Sequence, residues 1–105
     1  METVPSSELP IQTLELKRGQ QLFKAINHKL RMQLLHSIHE KGRITVTELY
    51  IKHRLEQSVV SQHLAVLRKG GFVTTEREGK FVYYRLNLDR IREVERFADL
   101  LNTAR

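Results

Sequence analysis

The stretch SVVSQHLAVLRKGG, residues 58–71, carries side chains suited to close hydrogen-bonding and methyl contacts. Wound as a helix of about 3.6 residues per turn, it places Val60, Leu64 and Leu67 on one side. The opposite, uncharged face holds Ser58, Val59, Gln62, Ala65 and Val66. In a chain that is 29% charged, a solvated helix face normally carries Lys, Glu and Arg. This face is therefore either buried or reserved for a partner that approaches closely.

Length, charge and cysteine content restrict the class of protein. The chain has 105 residues, which fits one domain, and a formal net charge of +6, which is typical of a nucleic-acid binder but not specific to one. It contains no cysteine, which excludes disulfides and thiolate metal sites. The first residues do not resemble a signal peptide, and no apolar run reaches the roughly 18 residues of a membrane span. We expect a soluble cytoplasmic protein with no membrane contact.

The first half of the chain predicts a tail and two or three helices. Pro5 and Pro10 lie in a Ser-containing opening, so residues 1–10 are expected to be a flexible tail and residues 11–105 the folded domain. Apolar residues then indicate one or two helices, interrupted near Gly19, and a further helix that Gly42 ends. The apolar positions are Leu14, Leu16, Leu22, Phe23 and Ile26, followed by Leu30, Leu34, Leu35 and Ile38.

The second half predicts two short helices, a hairpin and a last helix. RITVT is expected to form a small strand, Thr47 to cap the next helix and Ser58 the helix of residues 58–70. Residues 72–75 and 81–86 form strand-like segments with Gly79 in the turn between them. From Asp89 onward an apolar stripe of helical spacing predicts the last helix.

This order of elements is that of a winged helix-turn-helix, a mainly α fold with a small β-hairpin wing (α+β), whose second helix enters the major groove of DNA. There a Gln bonds adenine and a Val contacts a thymine methyl. Cations before the helix, at its end and on the wing of residues 76–80 suit the phosphates that border a groove. The predicted DNA-binding residues are Gln57, Ser58, Val59, Ser61, Gln62, His63, Arg77 and Lys80. Alternatively, the uncharged helix face packs on another helix or subunit. The wing is then a solvated turn, whose positive charge is reduced by Glu76 and Glu78.

Three segments carry a family resemblance. LFKAINHKLRMQLL, VTELYIKHRLEQSVVSQHLAVLRKGGFV and REGKFVYYRL together resemble the ArsR/SmtB family of dimeric bacterial repressors, over nearly the whole chain from Leu14 onward. The resemblance implies a homodimer joined by the first and last helices, and the excess hydrophobicity of the last helix independently favours an interface. A two-fold dimer favours a palindromic operator, with its reading helices about 34 to 36 Å apart. The expected dimer residues are Leu14, Ile91, Val94, Ala98 and Leu101.

The metal ligands of this family are not found at the matching positions. Where arsenic, cadmium and lead sensors have cysteines, this chain has Thr45 and Thr47, and hydroxyls are poor ligands for soft metals. The zinc and cobalt ligand positions correspond to Leu88, Arg90, Leu101 and Ala104. We therefore expect no metal site and no cofactor, and the effector, if there is one, is not identified.

The histidines leave several alternatives open. His36 and His39 are close enough to share a metal but lack a third ligand nearby, which favours an ordinary exposed pair. His53 is either a partly buried, hydrogen-bonded histidine or a group whose protonation loosens the DNA-binding unit. His63, in SQHL, either donates to a phosphate or base or packs under the wing.

Departures from the family pattern concern the helix ends. Arg31, by contrast, matches an arginine that the family has early in its third helix, and it fits a phosphate contact or a carboxylate partner such as Glu48. His28 and Lys29 replace the usual Asp-Pro, and Arg54 replaces a turn glycine, which predicts an arginine at positive φ or a modified turn.

Catalysis is not supported, because the chain has no glycine-rich phosphate loop and no recognisable nucleophile with its base. We predict a sequence-specific transcriptional regulator, a homodimeric repressor that binds double-stranded DNA. The alternative is a winged-helix module for protein contacts or for architectural DNA binding. Binding through several phosphates weakens steeply with salt, and a specific reader keeps its preference for one sequence.

Overall fold

The computed structural model describes the backbone of residues 13–103 and the side chains of residues 16–102. This part of the chain contains five helices and a three-stranded sheet, which confirms the predicted winged helix-turn-helix. The predicted tail of residues 1–10 lies outside the described residues. The elements are α1 (Thr13–Ile26), α2 (Lys29–Lys41), β1 (Ile44–Thr45), α3 (Val46–His53), α4 (Gln57–Lys69), β2 (Val73–Glu78), β3 (Phe81–Leu86) and α5 (Leu88–Thr103).

The sheet is antiparallel with strand order β1-β3-β2. The predicted strand in RITVT is confirmed as β1, where Ile44 lies opposite Tyr84. The predicted end of β2 at residue 75 is wrong, because pairing with β3 continues to Glu78, which lies opposite Phe81. The turn is therefore only two residues long, and Gly79 supplies the positive φ of 62° that such a turn requires.

The core forms where the apolar stripes of α2, α3 and α4 meet the sheet. The prediction that Val60, Leu64 and Leu67 point inward is confirmed, since all three are fully buried. Burial of such aliphatic side chains stabilises the fold by about 1.5 to 3 kcal/mol each. They pack with Leu34, Ile38, Leu49 and Phe72, which are also fully buried. This packing fixes which side of α4 remains outside.

Helix α1 is continuous, so the predicted interruption near Gly19 is wrong. Gly19 is buried against the ring of Phe97 on α5, and an added Cβ would lie 2.3 Å from Cδ2 of that ring. The glycine serves close approach of two helices rather than a break, and its backbone remains helical.

Two predicted helix caps are wrong. Thr45, not Thr47, caps α3, and its hydroxyl accepts from the Glu48 amide at 3.2 Å. Because Thr45 ends β1 by pairing with Tyr83, the helix starts directly after it. Ser58 lies inside α4, whose N-cap residue, Glu56, makes no side-chain capping bond.

At the two helix ends that depart from the family pattern, other residues provide the cap and the turn. His28 is extended and caps α2, with its Nδ1 accepting from the Leu30 amide at 3.2 Å. Arg54 has φ 54° and ψ 47°, which confirms the predicted arginine at positive φ in the turn between α3 and α4. That left-handed residue lets the chain reverse, and the Arg54 and Leu55 amides donate back to Ile51 and Tyr50.

Candidate nucleic-acid interface

The outward side of α4 carries most of the predicted reading residues together. Gln57, Ser58, Ser61 and Gln62 are exposed, and Val59 is half-buried beside them. We call these five residues the α4 face. The packing of Val60, Leu64 and Leu67 fixes its orientation, so its amides, hydroxyls and methyls are presented on a rigid helix. Such a face has the hydrogen-bonding groups and small size that a DNA groove admits.

His63 lies at the border between the α4 face and the core. Its ring is half-buried, and its centroid is 4.7 Å from that of His28. Its Nδ1 accepts a hydrogen bond from Nε of Arg31 at 3.2 Å. The ring therefore packs against the start of α2, and the alternative of packing under the wing is wrong. Burial first, then electrostatic interactions with His28 and Arg31, lower the pKa of His63.

Arg31 bonds to two backbone carbonyls and to His63 rather than to the carboxylate that the sequence suggested. Its Nη1 donates to the Ala25 carbonyl at 2.9 Å and to the Lys24 carbonyl at 3.4 Å, at the C-terminal end of α1. The expected carboxylate partner, Glu48, pairs with Lys41 instead. Arg31 thus connects α1, α2 and α4.

The acidic residues of the wing are neutralised by arginines from outside its tip. Arg43 donates to Glu76 at 2.9 Å and to Glu78 at 2.5 Å, and Arg85 pairs with Glu76 at 3.0 Å. The hydrogen bond from Arg43, followed by that from Arg85, lowers the pKa of Glu76. The guanidinium of Arg43 also lies 4.0 Å from the ring centroid of Tyr83. Sequence reasoning missed Arg43. Its position directly before β1 places it beside the wing, but only because β1 pairs with β3.

Two predicted phosphate contacts on the wing remain available. Arg77 and Lys80 are exposed, and neither forms an ion pair with any described residue. The Lys80 ammonium lies 5.5 Å from the ring centroid of Phe81. Because Glu76 and Glu78 are already compensated, these two cations give the wing an outward positive charge.

The cations flanking α4 divide into paired and unpaired groups. Lys52 pairs with Glu40 at 3.3 Å, so its charge is compensated. Arg54, Arg68 and Lys69 are exposed and form no ion pair within the described part of the chain. Uncompensated positive charge therefore lies at both ends of α4, next to the uncharged α4 face.

The predicted dimer stripe of α5 is divided between two environments. Val94 is buried in the core of its own chain, and Ile91 packs against that core. Ala98 is half-buried, whereas Leu101 is exposed. The exposed apolar surface at this end of α5 is completed by Leu100. The side chain of Leu14 lies outside the described residues.

The remaining histidines have protein partners or lie in solvent. His36 pairs with Glu40 at 3.0 Å, and His39 is exposed. His53 Nε2 is 2.8 Å from the hydroxyl of Ser37, which is the hydrogen-bonded arrangement that the sequence left open. Burial, followed by the charge of Lys52, lowers the pKa of His53.

The positions that correspond to metal ligands in the family hold other chemistry. Thr45 is a helix cap and Thr47 is exposed. Arg90 pairs with Glu93 at 3.0 Å, Leu88 and Leu101 are exposed, and Ala104 lies outside the described residues. Among residues whose side chains are described, no three His, Cys, Asp or Glu residues cluster closely enough to hold a metal ion. The described helices include none with the length and apolar character needed to cross a bilayer.

The fold and the α4 surface together define a winged helix-turn-helix protein of the DNA-binding class. Residues 28–75 match the family model described as bacterial regulatory protein, arsR family. The chain belongs to the ArsR family, and it is a DNA-binding transcriptional regulator.

Named relatives and solved structures agree with this assignment. The chain is 37% identical over 86 residues to the biofilm growth-associated repressor of Agrobacterium fabrum, covering 79% of this chain and 72% of that protein. It is 30% identical over 92 residues to the transcriptional repressor PagR of Bacillus anthracis, covering 88% of this chain and 89% of that one. The crystal structure of PagR superposes with a TM-score of 0.67 at 29% identity, over 86% of this chain and 99% of that chain. The transcriptional regulator HlyU of Vibrio vulnificus gives a TM-score of 0.63 at 36% identity, over 80% and 88%.

Proposed function

We propose that this chain is a homodimeric repressor that binds a palindromic operator through α4 and the wing, in the cytoplasm. The observation that carries the proposal is the exposed, uncharged α4 face between uncompensated cations. The neutral side chains contact base edges, and the cations bind the phosphates on either side. The residues proposed to contact DNA are Gln57, Ser58, Val59, Ser61, Gln62, His63, Arg77 and Lys80.

The proposed dimer interface uses α1 and the exposed end of α5. Leu100 and Leu101 are 43% and 40% exposed, which is unusual for adjacent leucines on one helix and favours a protein partner. A second copy of the chain is the partner we propose, since two-fold symmetry supplies two α4 faces about one DNA turn apart. Ile91 and Ala98 extend this surface, whereas the burial of Val94 leaves it a supporting role. Leu14 remains a proposed interface residue from the sequence alone.

Repression rests on the names of two relatives, the Agrobacterium fabrum and Bacillus anthracis repressors. A related protein from Vibrio cholerae, 37% identical over 71 residues, is named the transcriptional activator HlyU. The direction of regulation therefore needs its own measurement. In transcription from a promoter that contains the selected site, we expect the purified protein to reduce the transcript.

Selection of bound fragments from genomic DNA tests the proposal as a whole. We expect the recovered fragments to share a two-fold symmetric sequence, and a specific reader to keep its preference in the presence of random competitor DNA. Addition of a metal chelator is expected to leave the affinity unchanged, because threonines replace the family's thiolates. Recovery of unrelated fragments with equal affinity would instead favour an architectural role, and failure to bind DNA a module for protein contacts.

A further inference from the structure

The side chains of Arg31, His28 and His63 meet at the start of α2, next to the end of α1. Nε of Arg31 donates to Nδ1 of His63 at 3.2 Å, while Nη1 of the same guanidinium donates to the Ala25 carbonyl at 2.9 Å. The ring of His28 lies against that of His63, with centroids 4.7 Å apart and the ring planes tilted by 45°. The His28 ring is itself held, because its Nδ1 accepts from the Leu30 amide. The His63 ring is therefore held by contact with a second ring and, at Nδ1, by the hydrogen bond from a guanidinium.

The contact with Arg31 determines where the His63 ring carries its proton. A guanidinium has only donors, so the hydrogen bond requires a lone pair on Nδ1 of His63. A neutral imidazole with a lone pair on Nδ1 carries its hydrogen on Nε2. Within the described residues, Nε2 has no hydrogen-bond partner. Nε2–H of His63 is therefore an unused hydrogen-bond donor at a half-buried position of α4.

The place of His63 on α4 indicates what this donor meets. His63 follows Val59 by four residues and therefore lies one helical turn further along the border of the α4 face. A border position faces the strands that line the groove, whereas base edges lie opposite the centre of the helix. A phosphate oxygen is the acceptor found there.

We propose that Arg31 is a positioning residue for DNA binding, which holds His63 in the Nε2–H form so that this nitrogen donates to a DNA phosphate. The proposal rests on the proposed DNA-binding function and deepens it. The sequence left a choice between a phosphate contact and a carboxylate partner for Arg31. The geometry assigns the phosphate contact to His63 and gives Arg31 an indirect part in it.

The charged and titratable groups facing His63 are Arg31 on α2 and His28 before it. Burial, then these two groups, lower the pKa of His63, which favours the neutral ring that the hydrogen bond from Arg31 requires. A protonated ring would turn an N–H toward the guanidinium and break the contact. The donor to phosphate is consequently neutral and displaces no counterion.

The form of the ring is measured directly by NMR on the full-length protein with ¹⁵N-labelled histidine. We expect Nδ1 of His63 to be unprotonated and Nε2 to be protonated. In Arg31→Met we expect a mixture of both forms and a rise in the His63 pKa, because a neighbouring cation has been removed. A protonated Nδ1 in the wild type, or an unchanged ring in Arg31→Met, would overturn the proposal.

Two substitutions at His63 separate its two contacts and do not depend on the folding of Arg31→Met. His63→Gln places an amide near the former Nε2 and retains a donor to phosphate. His63→Asn places an amide near the former Nδ1 and retains a partner for Arg31, but it does not reach DNA. We expect His63→Asn to bind DNA about fivefold more weakly than His63→Gln, the effect of one lost hydrogen bond.

The weakening in His63→Asn is expected to be equal for operator and random DNA, with an unchanged slope of log affinity against log salt, since a neutral donor releases no counterion. Equal affinities of His63→Asn and the wild type would overturn the phosphate contact while leaving the regulator proposal intact. Wild-type protein that binds no DNA would overturn both. The ring measurement in the free protein then still decides whether Arg31 fixes the form of His63.

Discussion

Gln62 is the residue whose side chain most directly connects the structure with sequence recognition. It is exposed at the centre of the α4 face, and its amide offers a donor and an acceptor together, as adenine requires. Neighbouring serines offer less specific contacts, and Val59 offers only its methyls. Discrimination between sequences should therefore depend on Gln62 more than on any cation.

For Gln62→Ala we expect a loss of about 1 to 3 kcal/mol in preference for the operator over random DNA, because the bidentate contact is lost. Competition binding with both DNAs measures this. Gln33→Ala, an exposed glutamine on α2, serves as the matched control and should leave the preference unchanged. Equal losses on every sequence would contradict base reading by Gln62.

Lys80 belongs to the opposite kind of contact, since a phosphate carries no sequence information. For Lys80→Ala we expect weaker binding to operator and random DNA alike, with the slope of log affinity against log salt reduced by about 1. Lys80→Arg keeps the charge and should retain the wild-type slope. A loss confined to the operator would show that the wing reads bases instead.

Residue-level prediction from the sequence succeeded where the contact is local. The burial of Val60, Leu64 and Leu67 was predicted from helical spacing within one segment. The positive φ of Arg54 was predicted because an arginine stands where a turn glycine is usual. The partner of Arg31 could not be found this way, because His63 lies 32 residues further along the chain. Equally, no spacing rule distinguishes Thr45 from Thr47 as a cap until the pairing of β1 with β3 is known.

At the scale of elements, the wing and the α1–α5 pair each depend on a contact between distant segments. The hairpin was predicted from its alternation and Gly79, but its register with β1 was not, and Arg43 was missed for that reason. The family resemblance implied only that the first and last helices join two chains, and nothing in the sequence predicted a contact between α1 and α5 within one chain. The structure contains such a contact, with Phe97 packed where Gly19 leaves room.

The wing should lose stability in acid through Glu76. Its pKa lies below the ordinary value of 4.5 in the folded chain, so its stabilising effect is complete above that pH and is lost as the pH falls toward the folded pKa. Glu76→Gln should unfold at lower temperature than the wild type at pH 7, with a difference that shrinks on acidification to pH 3.

Thermal unfolding of both proteins across this pH range measures the effect. Glu95→Gln, an exposed glutamate on α5, is the control and should follow the wild type. A Glu76→Gln difference that is the same at pH 3 and pH 7 would contradict the ion-pair explanation.

Gly19→Ala tests the close approach of α1 and α5. Alanine favours a helix by about 1 kcal/mol over glycine, but here its Cβ collides with Phe97, and such overpacking costs about 1 to 3 kcal/mol. We expect net destabilisation in chemical denaturation. Gln20→Ala, at the next and exposed position, should be neutral. A Gly19→Ala protein that is more stable than the wild type would show that the two helices separate readily.

For the whole molecule, the decisive question is how the two chains of the proposed dimer meet. The stripe predicted on α5 could not be assigned to a partner from spacing alone, because α5 presents apolar residues both to its own core and to the outside. Burial separates them, with Val94 inside and Leu101 outside. The proposed interface is therefore smaller on α5 than the sequence pattern predicted.

Leu101→Asp is expected to give monomers that bind the operator poorly, since a charge enters an apolar interface without a partner. Sedimentation velocity and operator binding measure the two effects. Ile51→Asp changes an equally apolar but more exposed residue on α3 and should remain dimeric. A Leu101→Asp protein that sediments as a dimer would contradict the assignment of this surface.

The arginine in the turn before α4 has a cost that the rest of the molecule must offset. A side chain in the left-handed region is less stable by about 1 to 2 kcal/mol than one in an ordinary conformation, and glycine avoids most of that strain. Arginine brings to the same place an outward cation that glycine lacks. The turn before α4 thus combines a conformational penalty with an exposed guanidinium that attracts polyanions.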